Sequence, residues 1–342
     1  MIQTKPFPRI NWIDYLKAGG IFLVVLGHSN CVPLLRKYIY SFHMPLFYFA
    51  AGLTISPYKY SSISDLIKDK AKKLLVPYLS ITGFTVIFWF FYCQLSGKTF
   101  NLLEILAGIL IANNDIIFLV NGPCWFIPTL FVSEVLFCII CSFFKTDQEL
   151  LLCALFFLLF GYTESLKFNH LLMIWHLNCI PVILFYITLG FLIRKWINKE
   201  VSDAKNYSIV LSLFLIIIGL IIATVFNGNV SFGGNKYKSI LLTIVSSSLS
   251  IGGLSLLCIK YTKQTRFSKF LAFIGRNSLI VLAIHKPIII ILRFYIEEFR
   301  EKSLFSTFVG VIVFVICIPL TYIVDRFFPV LVGRKYKSWG LP

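Results

Sequence analysis

A lysine and a histidine share the first apolar segment of the chain. Lys17 follows Asp14 by three residues, and ten residues separate Lys17 from His28. At about 100° and about 1.5 Å per residue, this spacing places Lys17 and His28 on one face of a helix, about 16 Å apart along its axis. Ionisable side chains in apolar helices usually face a cavity, so the pair is a candidate for general-base or nucleophilic chemistry, with Asp14 able to pair with Lys17. A lysine extended to one membrane surface and a histidine at the other explain the spacing equally well.

A second histidine lies beside a proline in the next apolar segment. The run SFHMPLFYFAAG places His43 two residues before Pro45. Proline inside a helix frees backbone groups and kinks the chain, and a polar side chain beside a kink suits a cavity wall. From this stretch alone, a histidine satisfied at the membrane interface is the better-supported alternative.

A cluster of lysines precedes the third apolar segment. In the run KDKAKKLLVPYL, Lys70 and Lys73 are three residues apart on one helical face, and Lys72 flanks them. Ammonium groups in this arrangement could hold phosphate groups as point charges. Taken alone, the cluster is better explained as a basic loop that anchors the cytoplasmic side of a membrane helix.

Several further polar or aromatic side chains lie in or beside apolar segments and are candidates for lining a cavity. They are Trp125, Glu134, Asn277, Ser278 and His285. For Glu134 and Asn277, hydrogen bonding between helices is an equal alternative. The nine cysteines mostly lie in apolar runs, including Cys138 and Cys141, the pair with CxxC spacing. They therefore indicate small buried side chains and neither a disulfide framework nor a metal site.

The elements that must position these residues are transmembrane helices. The chain of 342 residues is 58% hydrophobic and only 14% charged, whereas soluble domains are about 25% charged. Apolar runs long enough to cross a bilayer recur throughout, which predicts an all-α polytopic bundle of about ten spans. The predicted spans are 11–31, 38–56, 74–93, 125–144, 150–163, 175–193, 207–226, 239–258, 271–292 and 305–324. A further apolar stretch, 102–120, is interrupted by polar residues and is predicted to be re-entrant or interfacial.

The charge distribution predicts an orientation. The chain has 32 Lys and Arg residues against 15 Asp and Glu, and most of the basic residues fall in alternate connecting segments. Basic residues concentrate in cytoplasmic loops, so both termini are predicted to be cytoplasmic, and nucleic acid is not an expected partner. All five histidines then fall in the outer half, although chance is an alternative because interfaces tolerate histidine well. They are His28, His43, His170, His176 and His285.

Taken together, these motifs resemble the acyltransferase 3 family of membrane-bound acyltransferases, and most of all its fucose 4-O-acetylase-like branch, which modifies surface polysaccharides. Lys17 and His28 resemble the basic residue-x10-His signature of the first span, and SFHMPLFYFAAG resembles the second-span block. KAKKLLVPYL resembles a block usually written with two arginines three residues apart. GPCWFIPTLF and IGRNSLIVLAIHKPI resemble the later blocks. The motifs occur in the family's order over about residues 9–330.

The resemblance implies a single membrane domain over 9–330, a short basic cytoplasmic tail over 331–342, and a multi-pass protein of the bacterial plasma membrane. It implies O-acyl transfer, with acetyl-CoA as cytoplasmic cosubstrate and no bound cofactor or metal, to a sugar hydroxyl of a surface or lipid-linked glycan. The expected catalytic residues are His28, Lys17, Asp14 and His43. The residues expected to bind the CoA phosphates are Lys70, Lys72 and Lys73. The residues expected at the acceptor cavity are Trp125, Glu134, Asn277, Ser278 and His285.

Two features depart from the family pattern, and other functions stay open. Arginine is the commoner residue at the positions of Lys17, Lys70 and Lys73, and lysine lacks its bidentate fork. An extracellular hydrolase-like domain, which some members carry, is not expected. A glycan exporter or flippase without acyl transfer is the alternative from another functional class, and transfer of succinyl or longer acyl groups is an alternative within the same class.

Overall fold

The chain folds as an all-α polytopic helix bundle. The computed structural model describes residues 11–167, 173–200, 209–260 and 265–334. Within these ranges the helices are α1 Asn11–His28, α2 Pro33–Thr54, α3 Ile63–Ser96, α4 Leu102–Ile111, α5 Phe126–Phe143, α6 Asp147–Lys167, α7 Ile180–Glu200, α8 Ile209–Ile221, α9 Ile240–Lys260, α10 Arg266–Arg276, α11 Ser278–Tyr295, α12 Glu298–Glu301 and α13 Ser303–Phe327. The described part of the proposed basic tail is residues 331–334, and its remainder lies outside the described residues.

In the described ranges, eight helical segments are long and apolar enough to cross a membrane. They contain α3, α5, α6, α7, α8, α9, α11 and α13. The other two predicted spans are α1 and α2, which have 18 and 22 residues and therefore lengths close to the roughly 30 Å of a bilayer core. Both carry several polar residues. Both also pack at the centre of the bundle, α1 against α2, α10, α11 and α13, and α2 against α7 and α9. Of these polar residues, Asp14, Ser41 and His43 are buried inside the bundle.

The predicted span 271–292 is wrong at its first turns, because the helix breaks at Asn277. Residue Arg276 ends α10, and Ser278 begins α11. The polar run Gly275-Arg276-Asn277-Ser278 at the break is a sequence signal that the predicted span did not use. The backbone of Asn277 leaves the helical region, and its side-chain amide donates to the carbonyl of Phe273 while its oxygen accepts from Arg334. Arg334 thereby stabilises the break from a distant part of the chain.

The stretch 102–120 does not form a spanning helix. Helix α4 has ten residues, about 15 Å in length, and ends where Ala112 adopts a left-handed conformation. Asn113 then donates to the carbonyl of Met173, and Asn121 donates to the carbonyl of Ala283. These amides tie the returning chain to the bundle, in agreement with a re-entrant or interfacial segment.

The segments predicted to be cytoplasmic and those predicted to be external lie at opposite ends of the bundle. At one end, the backbone of Asp14 packs against Gly275, and the carbonyl of Lys72 lies beside Gly333. At the other end, the carbonyl of His28 accepts a hydrogen bond from Arg293. The first end carries the segments predicted to be cytoplasmic, and the second carries those predicted to be external, so the structure keeps the two predicted groups apart.

Candidate functional site

A cavity of about 410 Å³ runs through the bundle between its two ends. Its walls come mainly from α1, α2, α5 and α11, together with the segments before α5 and α9. Half of the residues predicted for the site line it, and they come from both ends. They are Lys17, His28, His43, Trp125, Glu134 and Ser278. The Lys17–His28 face predicted from spacing therefore forms one wall of a continuous cavity.

His28 lies on the wall of this cavity and of two others. As the last residue of α1, it also lines a cavity of about 680 Å³ beside α3 and one of about 540 Å³ beside α2. Its side chain is half-buried, and its ring makes no hydrogen bond with the described part of the chain. The ring centroid lies 5.3 Å from that of His285. His28 is thus the residue at which molecules entering from different directions would meet.

The neighbouring histidines are held differently. Nδ1 of His43 lies 2.7 Å from the carbonyl oxygen of Ile39, and Nδ1 of His285 lies 3.0 Å from that of Val281. A carbonyl oxygen only accepts, so in both rings Nδ1 carries the proton and the ring orientation is fixed. His43 lines the cavity, whereas His285 is fully buried behind His28 and lines none of the three cavities.

The predicted lysine cluster divides into two environments at the opposite end. Lys70 is buried and forms an ion pair with Glu134 at 2.6 Å. Lys73 is exposed and pairs with Asp69 at 2.9 Å, and Lys72 is exposed beside it. The sequence predicted a role in phosphate binding for all three lysines and a separate cavity role for Glu134. Those roles stay predictions, but the structure joins Lys70 and Glu134 in one pair at the cavity wall.

The exposed part of this cluster is organised by one carboxylate. Asp69 accepts hydrogen bonds from Lys59 at 3.0 Å, from Lys73 at 2.9 Å and from the hydroxyl of Tyr60 at 2.7 Å. Partial burial and the neighbouring Asp69 raise the pKa of Tyr60 well above its usual range, so the phenol stays a donor. Lys72 and Lys73 project from this fixed turn towards solvent.

Two of the residues predicted for the site, Asn277 and Asp14, do not line the cavity. Asn277 is buried, and its side-chain amide makes its hydrogen bonds to Phe273 and Arg334 at the break between α10 and α11. Asp14 is buried and does not line the cavity, and its backbone packs closely against Gly275. Ser278, one residue after Asn277, does line the cavity.

A protein-family model described as an acyltransferase domain matches residues 10–324. The chain belongs to the acyltransferase 3 family. The match begins just before α1 and ends within α13, so it includes every residue that lines the cavity. No curated protein and no solved structure matches the chain. The resemblance seen in the motifs is confirmed at the level of the family, and the fucose 4-O-acetylase-like branch stays a prediction.

For this acyltransferase, the sequence placed His176 on the outer side without giving it a role in the site, and the structure places it on the cavity wall. His176 is 3% exposed, and its ring centroid lies 4.5 Å from that of Trp125. Its Nδ1 contacts the carbonyl oxygen of Gly233, and its Nε2 has no partner among the described residues. Its backbone has φ 50°, a left-handed conformation that few residues other than glycine adopt. The pairing with Gly233, 57 positions along the chain, leaves no signal in the sequence.

The outer mouth of the acyltransferase cavity is therefore rich in hydrogen-bonding groups. Asn114, Asp115, Ser231 and His176 line it together with the indole of Trp125. His170, the remaining histidine predicted for this side, lies outside the described residues. In the described ranges, no three His, Cys, Asp or Glu side chains group as metal ligands would.

Proposed function

We propose that this membrane acyltransferase transfers an acetyl group from cytoplasmic acetyl-CoA to a hydroxyl group of a sugar in a surface or lipid-linked glycan. The observation that carries the proposal is the cavity lined by both Lys17 and His28, together with two further cavities that also have His28 on their walls. A donor that enters from one side and an acceptor that enters from the other would meet at His28. The family match supports acyl transfer in a membrane, which is the coarser part of the proposal.

The donor end of the cavity suits a long, narrow thioester. Lys72 and Lys73 are exposed beside Leu74, which lines the cavity, so their ammonium groups can hold CoA phosphates at its entrance. Beyond them, the wall is mainly apolar and includes Val24 and Phe47. An extended pantetheine arm laid along this wall would bring the thioester carbonyl to His28, about 16 Å from Lys17 along α1.

The chemistry at His28 has two forms that use the same ring. As a general base, His28 takes the proton of the sugar hydroxyl while the oxygen attacks the thioester carbonyl. The new C–O bond forms, the C–S bond breaks, and the proton passes from the imidazolium to the leaving thiolate. As a nucleophile, His28 first accepts the acetyl group and releases CoA, and the sugar hydroxyl then takes the acetyl group from the ring. Both forms need a ring nitrogen without a protein partner.

The acceptor end suits a sugar ring. The indole of Trp125 offers an apolar face against which a sugar could pack, and Nε2 of His176 can accept a hydrogen bond from a hydroxyl group. Asp115 and Asn114 add acceptors at the same mouth. A mouth with one aromatic face and several acceptors fits a polyhydroxylated acceptor better than an apolar one.

Labelled acetyl transfer tests this function. Membranes that contain the native chain are incubated with acetyl-CoA labelled in the acetyl group, and with succinyl-CoA in parallel. We expect label in a glycan fraction with acetyl-CoA, and release of the label by mild base because O-acetyl esters hydrolyse. Export of glycan without incorporation of label would support the exporter alternative and reject the proposal, and preferred transfer of succinyl would correct the acyl group.

A further inference from the structure

Three cations surround a cavity at the outer end of the bundle. This cavity, of about 540 Å³, is lined by Arg36, Lys286 and Arg293. The other residues that line it are Gly27, His28, Asn30 and Tyr40. No Asp or Glu of the described ranges lines it, and none lines the neighbouring cavity of about 680 Å³, to which Lys286, Arg293 and Lys98 also contribute. The two cavities therefore share a concentrated positive charge, with His28 on the wall of both.

The arrangement follows from the helices. Lys286 and Arg293 are seven residues apart on α11, which places them on one face about 10 Å apart along the axis. Arg36 and Tyr40 are four residues apart on α2 and also share a face. These two faces meet at the end of α1, where His28 lies. The positions of the three cations are therefore set by the packing of α1, α2 and α11, and not by a loop.

Two of these cations make hydrogen bonds with the described residues. Arg36 donates to the side-chain oxygen of Asn30 at 2.9 Å, and Arg293 donates to the carbonyl of His28 at 3.2 Å. The half-buried ammonium of Lys286 makes no hydrogen bond or ion pair with the described part of the chain. Several like charges around a partly enclosed cavity focus an attractive field for anions.

The alternative that these three cations only form a solvent-exposed basic surface is less well supported. The predicted orientation places it on the external side, where basic residues are normally scarce. Lysine on lipid-facing helices usually extends to the headgroups. Here, however, the side chains of Lys286 and Arg293 line two cavities that converge on the proposed reaction centre.

We propose that Arg36, Lys286 and Arg293 form an oxyanion-binding subsite that holds a phosphate or carboxylate group carried by the acceptor. The inference rests on the proposed function, because it assigns the acceptor to the class of anionic glycans or glycolipids. The arginine forks can bind two oxygens of such a group, and Lys286 adds a point charge. Binding of the anion there places the adjoining sugar beside His28.

The bound anion belongs to the acceptor and not to the donor. The CoA phosphates are expected near Lys72 and Lys73, at the opposite end of α1 from His28. The length of α1, 18 residues or about 27 Å, separates the two cationic regions. A single CoA that placed its thioester at His28 would have its phosphates at the lysine end.

Binding of simple anions to the full-length protein in detergent tests the subsite without an acyl-transfer assay. Inorganic phosphate is titrated at constant ionic strength while tryptophan emission is recorded, because Trp89 and Trp125 line the neighbouring cavity. Glucuronic acid is compared with glucose, and bilayer nanodiscs with phosphatidic acid are compared with nanodiscs of phosphatidylcholine. We expect a saturable change with phosphate or glucuronic acid, or a change confined to phosphatidic acid if the oxyanion is carried on a lipid.

Matched variants separate a built subsite from general charge. The double variant Arg36→Gln/Lys286→Gln should weaken anion binding more than tenfold, at about fivefold for each cation removed. Arg36→Lys/Lys286→Arg should keep most of it. Lys37→Gln should bind as the native chain does, because Lys37 donates to the carbonyl of Thr224 and lines none of the three cavities. Thermal unfolding of each variant confirms that it is folded.

The outcomes are distinct from those for the proposed function. No response to either the soluble or the lipid anion, or an equal response in the Arg36→Gln/Lys286→Gln variant, overturns the subsite. If that variant still acetylated glycan with native kcat/KM, the subsite would also be rejected, while acetyl transfer stood. Anion binding in a chain that transfers no acyl group would reject the proposed function and leave the subsite in place.

Discussion

Hydrogen bonding distinguishes His28 from the two histidines near it. Nδ1–H of His43 and of His285 each donates to a carbonyl oxygen one helical turn earlier, so each ring is held in a fixed orientation by its own helix. His28 ends its helix and has no such bond within the described residues, and its ring borders three cavities. A base or nucleophile needs a ring nitrogen open to its substrate, and of these three rings only that of His28 has neither nitrogen bonded to the described part of the chain.

We expect His28→Gln to abolish acetyl transfer while the protein still inserts into the membrane. Loss of a general base costs about 10²–10⁴-fold in rate, and loss of an acetyl-accepting nucleophile costs more. His285→Gln is the matched control, because His285 is buried behind His28 and lines none of the cavities. Acetylation is measured per molecule, with abundance determined by immunoblot. Native activity in His28→Gln would reject both roles and direct attention to His43.

Lys70 and Glu134 should behave as one unit in stability measurements. Their side chains are only 10% and 13% exposed, so removing one partner leaves a charge in a poorly solvated place. We expect Lys70→Met and Glu134→Leu to destabilise the fold by about 3–5 kcal/mol each, and the double variant to recover most of that loss. Lys73→Met is the control, because its pair with Asp69 is exposed and worth about 0–1 kcal/mol. Thermal unfolding in detergent measures all four, and additive losses in the double variant would contradict a coupled pair.

Donor binding is better tested with the exposed lysines than with Lys70. Lys72→Ala/Lys73→Ala should raise the KM for acetyl-CoA on the order of tenfold through two screened phosphate contacts, while the KM for the acceptor stays constant. Lys68→Ala, an exposed lysine one turn earlier, controls for net charge. Steady-state kinetics at two salt concentrations measures the effect, which should shrink at high salt. An unchanged donor KM would restrict the lysines to setting the topology.

At the level of helices, glycines set how closely α2 and α7 approach. A Cβ added at Gly52 would overlap the carbonyl oxygen of Ile187, and one added at Gly190 would overlap that of Phe49. The two backbones are therefore in contact at both glycines, as in other membrane helix pairs with small residues at the interface. This crossing holds α2, and with it His43, against the rest of the bundle.

Gly52→Ala should lower the thermal unfolding temperature and the abundance of the protein, because α2 and α7 must separate to admit one methyl group. Gly83→Ala is the matched control. Gly83 also lies inside a helix, but an added Cβ there meets no atom within 4 Å. Alanine favours a helix over glycine by about 0.5–1 kcal/mol, so the control should be neutral or slightly stabilising. Equal behaviour of the two variants would show that the crossing can relax without cost.

Hydropathy predicted where the helices are but not how they break or pair. The apolar runs located every long helix, including α1 and α2, because a bilayer requires a nearly constant length of apolar chain. The break at Asn277 was missed although the polar run Gly275-Arg276-Asn277-Ser278 marks it, and the hydrogen bond from Arg334 that stabilises it comes from 57 positions away. The Lys70–Glu134 pair and the contact of His176 with Gly233 were missed because each joins residues that are far apart in the sequence. Long-range pairing of polar groups follows from packing and has no periodic signature.

For the whole molecule, the important property is that the two ends of one cavity carry different functional groups. The lysine end carries Lys72 and Lys73, and the other end carries His28 and the three-cation cluster. Acyl-CoA is made in the cytoplasm, and surface glycans lie outside it. The proposed function therefore requires the lysine end to face the cytoplasm, which makes the orientation of the bundle its most direct structural test.

Labelling of single introduced cysteines in intact cells measures that orientation. Ser61 precedes α3 at the lysine end, and Lys236 lies in the segment between α8 and α9 whose neighbours line the outer mouth. Both side chains are exposed, and Lys236 contributes only its backbone to the pairing with Ser231, so either position should accept cysteine.

A membrane-impermeant thiol reagent should label Lys236→Cys in intact cells and Ser61→Cys only after permeabilisation. The native cysteines in the described residues are buried or half-buried, and the unsubstituted chain gives their background. Labelling of Ser61→Cys in intact cells would place Lys72 and Lys73 outside, away from acetyl-CoA, and would reject a mechanism in which donor and acceptor reach His28 from opposite sides.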